Sequence, residues 1–196
     1  MNGFLVAANC TNSSASPALQ ASERAYIQNH VRIKQATSEI EKAAIRRLRH
    51  AVFCVEQGLF NGDDTDEVDA WAVPLAAVLS ASDGVDEVVG TVRIHQAQPG
   101  LWYGSRLAVA HHARRIGAVG SGLIRLAVGS AHAQGCHSFF AHVQSQNVAL
   151  FQRLHWHCLA TVTVHGLGHQ LMQADLAHYP PIEDGASGFL LRGARL

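Results

Sequence analysis

Between Leu107 and Trp156 the chain reads as a strand, a basic turn punctuated by glycines, a helix, a second strand and a second helix, and this succession restricts the fold more than any other stretch. Ser105-Arg106-Leu107-Ala108-Val109 forms the strand, and His111 to Gly122 forms a turn that opens a helix over Leu123 to Gln134. Ser138 to Val143 is the next strand, and another helix begins at Asn147. Free N–H groups at a helix start carry partial positive charge, and glycines let a ligand come close to the backbone. Arg114 and Arg115 add full charges beside Gly117, Gly120 and Gly122. The turn therefore suits a pyrophosphate, the alternative being a glycine-rich turn that serves only to admit the chain into its helix.

Upstream, Val31-Arg32-Ile33-Lys34 alternates as a strand does, and Ser38 followed by Glu41 is a capping box. The box opens a helix striped by Ile40, Ala44, Leu48, Ala51 and Val52 that runs to about Val55. Arg46, Arg47 and Arg49 on this helix read as a solvated face. An acidic connector, Asn61 to Asp69, leads to an apolar run from Trp71 to Ala81 suited to a buried strand. Ser82-Asp83-Gly84 then turns into Val88 to Ile94, giving a hairpin. Thr161 to Val164 and Leu171 to Ala174, joined through Gly166-Leu167-Gly168, read as a final hairpin. Strands and helices in this order predict a mixed α/β layer fold with a mostly antiparallel central sheet.

The 196 residues, 48% of them hydrophobic, suit one domain over residues 26–196 preceded by a loose arm over residues 1–25, which is rich in Asn, Ser and Ala. Fifteen Lys and Arg balance fifteen Asp and Glu, which argues against a general nucleic-acid binder. Cys10, Cys54, Cys136 and Cys158 are far apart and read as free thiols, not as a zinc ribbon or a redox pair. The start, Met1 to Ala8, has no basic leader, and no segment approaches the ~20 apolar residues of a membrane span. The expectation is a cytoplasmic protein without membrane or nucleic-acid partners, and the arm and apolar last hairpin suit a homodimer. The histidines around His155, His157, His165 and His169 lack a metalloprotease spacing, so no metal is expected.

Leu107-Ala108-Val109, then Arg114-x-x-Gly117, then Gly120-Ser121-Gly122, resembles the pyrophosphate loop of the GNAT acyltransferases, Arg/Gln-x-x-Gly-x-Gly/Ala after a strand. Counting from the strand makes Arg114 the family arginine; counting back from the helix makes it Arg115, with Ala118 where the first glycine belongs. Asn147-Val148-Ala149-Leu150-Phe151, running on to His155-Trp156, is similar to the second family signature, Asn-x-x-Ala-x-x-x-Tyr-x-x-x-Gly-Phe, slightly shortened. Arg49-x-x-Val52-Phe53-x-x-Glu56-Gln57-Gly58 with Asp66-x-x-Asp69 resembles a GNAT branch that also contains acyl-homoserine-lactone synthases, and most of all the N-acetyltransferases of bacterial nitrilase and nitrogen-starvation gene clusters.

The resemblance covers residues 30 to 180 and implies the GNAT fold, acetyl-CoA as acyl donor and a small primary amine as acceptor. It implies that the edge at Leu107 and Val109 pairs with pantetheine, and that Arg114, Arg115, Gly117, Val119, Gly120 and Ser121 hold pyrophosphate. It places Asn147 on the pantetheine arm, and Phe151 near the position of the tyrosine that protonates the departing thiolate. Phe151 has no proton to give, but a thiol of pKa ~8.5 is a fair leaving group without help. His155, standing where the family has a small residue, is a candidate acid in its stead.

An alkylamine of pKa ~10.4 is neutral in only about one molecule in a few thousand at pH 7, so a base must take its proton. Glu56 is the first candidate, because Phe53, Val55, Leu59 and Phe60 around it could raise its pKa; its alternative is a loop anchor. His111, His112 and the Asp64, Asp66, Asp69 group are others. Asp66 and Asp69 read either as a solvated turn or as a lure that binds a cationic acceptor. Two function classes follow: an acetyl-CoA-dependent N-acetyltransferase, with a synthase using a longer acyl donor as its variant, or a catalytically silent acyl-CoA-binding module.

Overall fold

The computed structural model describes residues 30–80 and 85–191; the expected arm, Cys10 and the Ser82–Gly84 turn lie outside the described residues. A single eight-stranded sheet forms the centre. Its strands are β1 (His30–Gln35), β2 (Val73–Ser80), β3 (Asp86–Gln98), β4 (Leu101–Val109), β5 (Ser138–Gln144), β6 (Trp156–Val164), β7 (Leu167–Ala174) and β8 (Phe189–Leu190). They lie in the order β6-β7-β5-β4-β3-β2-β1-β8, and every pairing is antiparallel except β4 with β5. The expected mixed, mostly antiparallel sheet is what forms.

Helix α1 (Glu39–Arg49) starts where Ser38 accepts from the Glu41 N–H and the Glu41 carboxylate accepts from the Ser38 N–H. It continues as a π-helical turn, His50–Glu56, closed by the Gln57 N–H on the Val52 carbonyl at 3.0 Å. Helix α2 (Ala118–Ala133) lies on the opposite face, and α3 (Val148–Arg153) is a short helix before β6. Alternation along β2 explains the two layers. Leu75, Ala77 and Leu79 join the large core under α2, while Ala76 and Val78 join the smaller one under Ile45 of α1. The continuous apolar run of this strand thus reflects burial on both faces.

Three boundaries differ from the sequence reading. α2 begins at Ala118, not Leu123, so Gly120 and Gly122 lie inside it. Close packing outweighs glycine's weak helix propensity here: a Cβ on Gly122 would stand 2.9 Å from Leu191 Cδ2 and 3.1 Å from Ile33 Cγ1. β2 begins at Val73, because Asp66 caps a short 3₁₀ turn, Glu67–Ala70, that keeps Trp71 outside the strand. The final hairpin turns at His165-Gly166, both with positive φ as a two-residue hairpin turn requires. The chain after β7 covers the outer side of α2, where the Ile182 N–H donates to the Gly129 carbonyl at 3.0 Å, and β8 then closes on β1.

Candidate active site

The parallel pairing of β4 with β5 runs from Leu101 opposite Ser138 to Gly104 opposite Ala141 and stops there. Beyond it β4 continues to Val109 beside β3, and β5 continues to Gln144 beside β7. The two strands therefore diverge inside one sheet. A bulge drives them apart: Arg106 and Leu107 together face Val92, and Arg106 has φ 56°. Such a bulge bends its strand and re-aims a side chain. No β5 partner covers the edge of β4 at Leu107 and Val109, although the Val109 carbonyl accepts from Arg114 Nε at 3.0 Å.

A cleft of about 440 Å³ passes through this opening. On the α2 side Ile124, Ala127, Phe139, Phe151 and Trp156 line it; on the α1 side Phe60, Arg93, His95, Tyr103, His142 and His165 do. Asn147 lines it too, just ahead of α3. Phe151 is 6% exposed and meets Trp156 edge-on at 5.0 Å. The tyrosine position is thus part of an apolar wall.

At one end of the opening stands the start of α2, which no side chain caps among the described residues. A Cβ on Gly117 or Gly120 would meet nothing within 4 Å, so the space before both is open. The helix's positive end faces that space. Arg115 is exposed and makes no hydrogen bond or ion pair among the described residues, whereas Arg114 grips Glu56 through Nη1 at 2.6 Å and Nη2 at 2.7 Å. Two of the expected contacts at this turn are changed. Val119 is fully buried and its N–H donates to the Ile116 carbonyl at 2.9 Å; the Ser121 hydroxyl donates to the Ala118 carbonyl at 3.1 Å. The turn itself uses the Val119 N–H, whereas Gly117 and Gly120 face open space and the Arg115 guanidinium is exposed.

Glu56 does not have the raised pKa expected of a base. The Arg114 hydrogen bonds hold its carboxylate below the usual range, and it lies outside the cleft lining. It ties the end of the α1 turn to the glycine turn. His155 is also displaced from its expected role. Its backbone has φ 61°, and its ring stacks on His178 at 3.6 Å in a separate shallow depression with Ser121, Arg125 and Arg153. Trp156, the next residue, turns into the cleft instead.

The connector is largely exposed, as a solvated turn is, but Asp66 and Asp69 are ion-paired and are no free lure for a cation. Arg93 holds Asp66 through Nη1 and Nη2, each at 2.6 Å, and Arg49 holds Asp69 at 2.5 and 2.9 Å. Arg49 Nε also reaches Asp64 at 2.8 Å, and Arg106 reaches Asp64 and Asp66, each at 3.0 Å. Arg49, read as solvated, is 5% exposed, and Asp64 is 3% exposed. The Arg93 hydrogen bonds lower the Asp66 pKa; burial pushes Asp69 up, and its bonds to Arg49 and Arg93 outweigh that and hold it low. Three guanidinium groups thus neutralise three carboxylates beneath the cleft.

Sequence reasoning missed the ring-bearing wall on the α1 side. His95 on β3 stacks on Tyr103 of β4 at 5.9 Å, and Tyr103 on His142 of β5 at 6.3 Å. Burial lowers the pKa of His95, with the Arg93 charge adding to it, and burial likewise lowers that of His142. The signal was present: Arg93 and His95 alternate with buried Val92 and Ile94, and His142 with Ala141 and Val143. Among the described residues no group of His, Cys, Asp or Glu is placed to hold a metal ion, and no helix is long and apolar enough to cross a membrane.

The model of the acetyltransferase (GNAT) family matches residues 43–156, which spans α1 to the start of β6 and includes both diverging strands and the glycine turn. The chain belongs to the GNAT acetyltransferase family. Solved structures share its fold: Escherichia coli ElaA at TM-score 0.61 and 20% identity, over 75% of this chain and 99% of that one; and a GCN5-related N-acetyltransferase from Kribbella flavida at 0.57 and 22%, over 74% and 98%. BjaI, a CoA-dependent acyl-homoserine lactone synthase described with SAM and isopentyl-CoA, matches at 0.57 and 19%, over 75% and 83%. No curated protein sequence matches. GNAT members are acyltransferases drawing on acyl-CoA.

Proposed function

We propose that this GNAT protein is an acetyl-CoA-dependent N-acetyltransferase that acylates a small primary amine by direct attack on the thioester. The observation that carries the reading is the divergence of β4 from β5, with an uncapped helix start at one end and a cleft through the sheet at the other. Gly117, Gly120 and Arg115 are suited to the pyrophosphate, and the β4 edge at Leu107 and Asn147 to pantetheine. The thioester would then reach the cleft between Phe151 and the His95, Tyr103, His142 wall.

In the reaction the amine nitrogen forms a bond to the acyl carbon, the carbon–sulfur bond breaks, and the nitrogen gives up a proton. His95 suits that proton. Its ring lines the cleft, and burial favours its neutral form, which can accept a proton. Phe151 supplies no acid, and the thiolate, of pKa ~8.5, leaves unassisted. Glu56 and Arg114 link the acceptor side to the cofactor turn. The same Phe151 favours the second reading, a silent acyl-CoA-binding module.

Thiol release from acetyl-CoA in the presence of primary amines, with mass detection of the acetylated product, separates the two. Product formation supports the enzyme, and a preference for longer acyl-CoA would assign the synthase variant. Tight acyl-CoA binding without product from any amine would leave the silent module.

A further inference from the structure

We propose that the acceptor side of the cleft selects an aromatic primary amine, one that arrives uncharged at neutral pH; this rests on the acetyl-transfer reading above. Two independent observations lead there. The first concerns charge. Among the described residues no Asp or Glu lines the cleft, although Arg93 and Arg106 do. The three carboxylates behind that wall, Asp64, Asp66 and Asp69, are each bonded to guanidinium groups. An alkylammonium entering this cleft would lose water and meet no free anion, which is costly. An aromatic amine, whose lone pair is delocalised into its ring, brings no charge to be compensated.

The second observation concerns shape. His95, Tyr103 and His142 form a near-parallel column across three strands, with interplanar angles of 17° and 19°. Phe60 and His165, in edge contact at 4.7 Å, also line the cleft. Ring-lined walls attract a flat aromatic ligand through stacking and edge-to-face contact. As the nitrogen–carbon bond forms, the nitrogen becomes acidic enough for the neutral imidazole of His95 to take its proton while the thiolate departs. A weak base is therefore sufficient for a weakly basic amine.

The test compares p-anisidine, n-butylamine and spermidine as acceptors at pH 7 with saturating acetyl-CoA, reading thiol release and acetylated product. kcat/KM for p-anisidine should exceed that for either alkylamine by at least roughly tenfold, in line with the small neutral fraction of the alkylamines. A parallel variant, His142→Asp, supplies the missing carboxylate and should narrow that ratio. Preference for butylamine or spermidine in the natural chain overturns this inference and leaves acetyl transfer standing. Acetyl-CoA binding without turnover of p-anisidine also overturns it. Absence of acetyl-CoA binding overturns both this inference and the reading beneath it.

Discussion

Arg49 shows how one side chain fixes the loop beneath the cleft. It is buried with Asp64 and reaches Asp69 as well, so its removal leaves Asp64 with Arg106 alone and Asp69 with Arg93 alone. Arg49→Ala should cost about 3 kcal/mol of stability, the low end for a broken buried pair because Arg93 and Arg106 remain, seen as a lower urea midpoint. An unchanged midpoint would mean the cluster is dispensable. The sequence did carry a hint: Arg49 follows buried Ile45 by four residues and so shares its face, but helix arginines are usually solvated and the partners lie 15 and 20 residues away. The placing of His155 is hidden in the sequence for a similar reason. Proximity to Trp156 in sequence says nothing of a left-handed backbone that sends the two rings to different sides. For the neutral His95, whose pKa is lowered, kcat/KM should be level near pH 7 and fall only as pH drops below ~6.5. His95→Gln should lower kcat more than KM; unchanged kcat would take His95 out of the reaction.

At the scale of elements, the strands and helices were legible because their apolar periods are strong, as in Leu75 to Leu79 and the Ser38–Glu41 box. The bulge was not, since Arg106 takes a positive φ that its residue type does not announce. Nor was the order of the last strands, where β7 and not β6 pairs with β5, because such pairing is set by tertiary packing. The closeness of α2 to the sheet depends on Gly90 of β3. A Cβ there would stand 2.9 Å from Leu123 Cδ1 and 3.0 Å from Val119 Cγ1. Gly90→Val should therefore destabilise by about 1–3 kcal/mol through overpacking. Because α2 carries the glycine turn, the variant should also weaken acetyl-CoA binding, measurable by titration. Full stability and affinity would show that the helix can shift freely.

For the whole molecule, the pKa shifts predict two windows of acid sensitivity. His95 and His142 have lowered pKa values in the fold, so their neutral forms contribute stability that is complete above the unfolded value of ~6.5 and lost as pH falls below it. Asp66, Asp69 and Glu56 are also lowered, and their contribution is complete above ~4 and lost as pH falls through that range. Tm should fall in two stages between pH 7 and pH 3; a Tm that rises on acidification from pH 7 to 5 would contradict the assignment. The most direct test of the account is calorimetric titration of the chain with acetyl-CoA, with Arg115→Ala and Arg114→Ala beside it. The account predicts binding that weakens at least about tenfold, ~1.4 kcal/mol, in Arg115→Ala and less in Arg114→Ala, whose guanidinium is engaged by Glu56. No binding by the natural chain, or equal binding by all three, would contradict it.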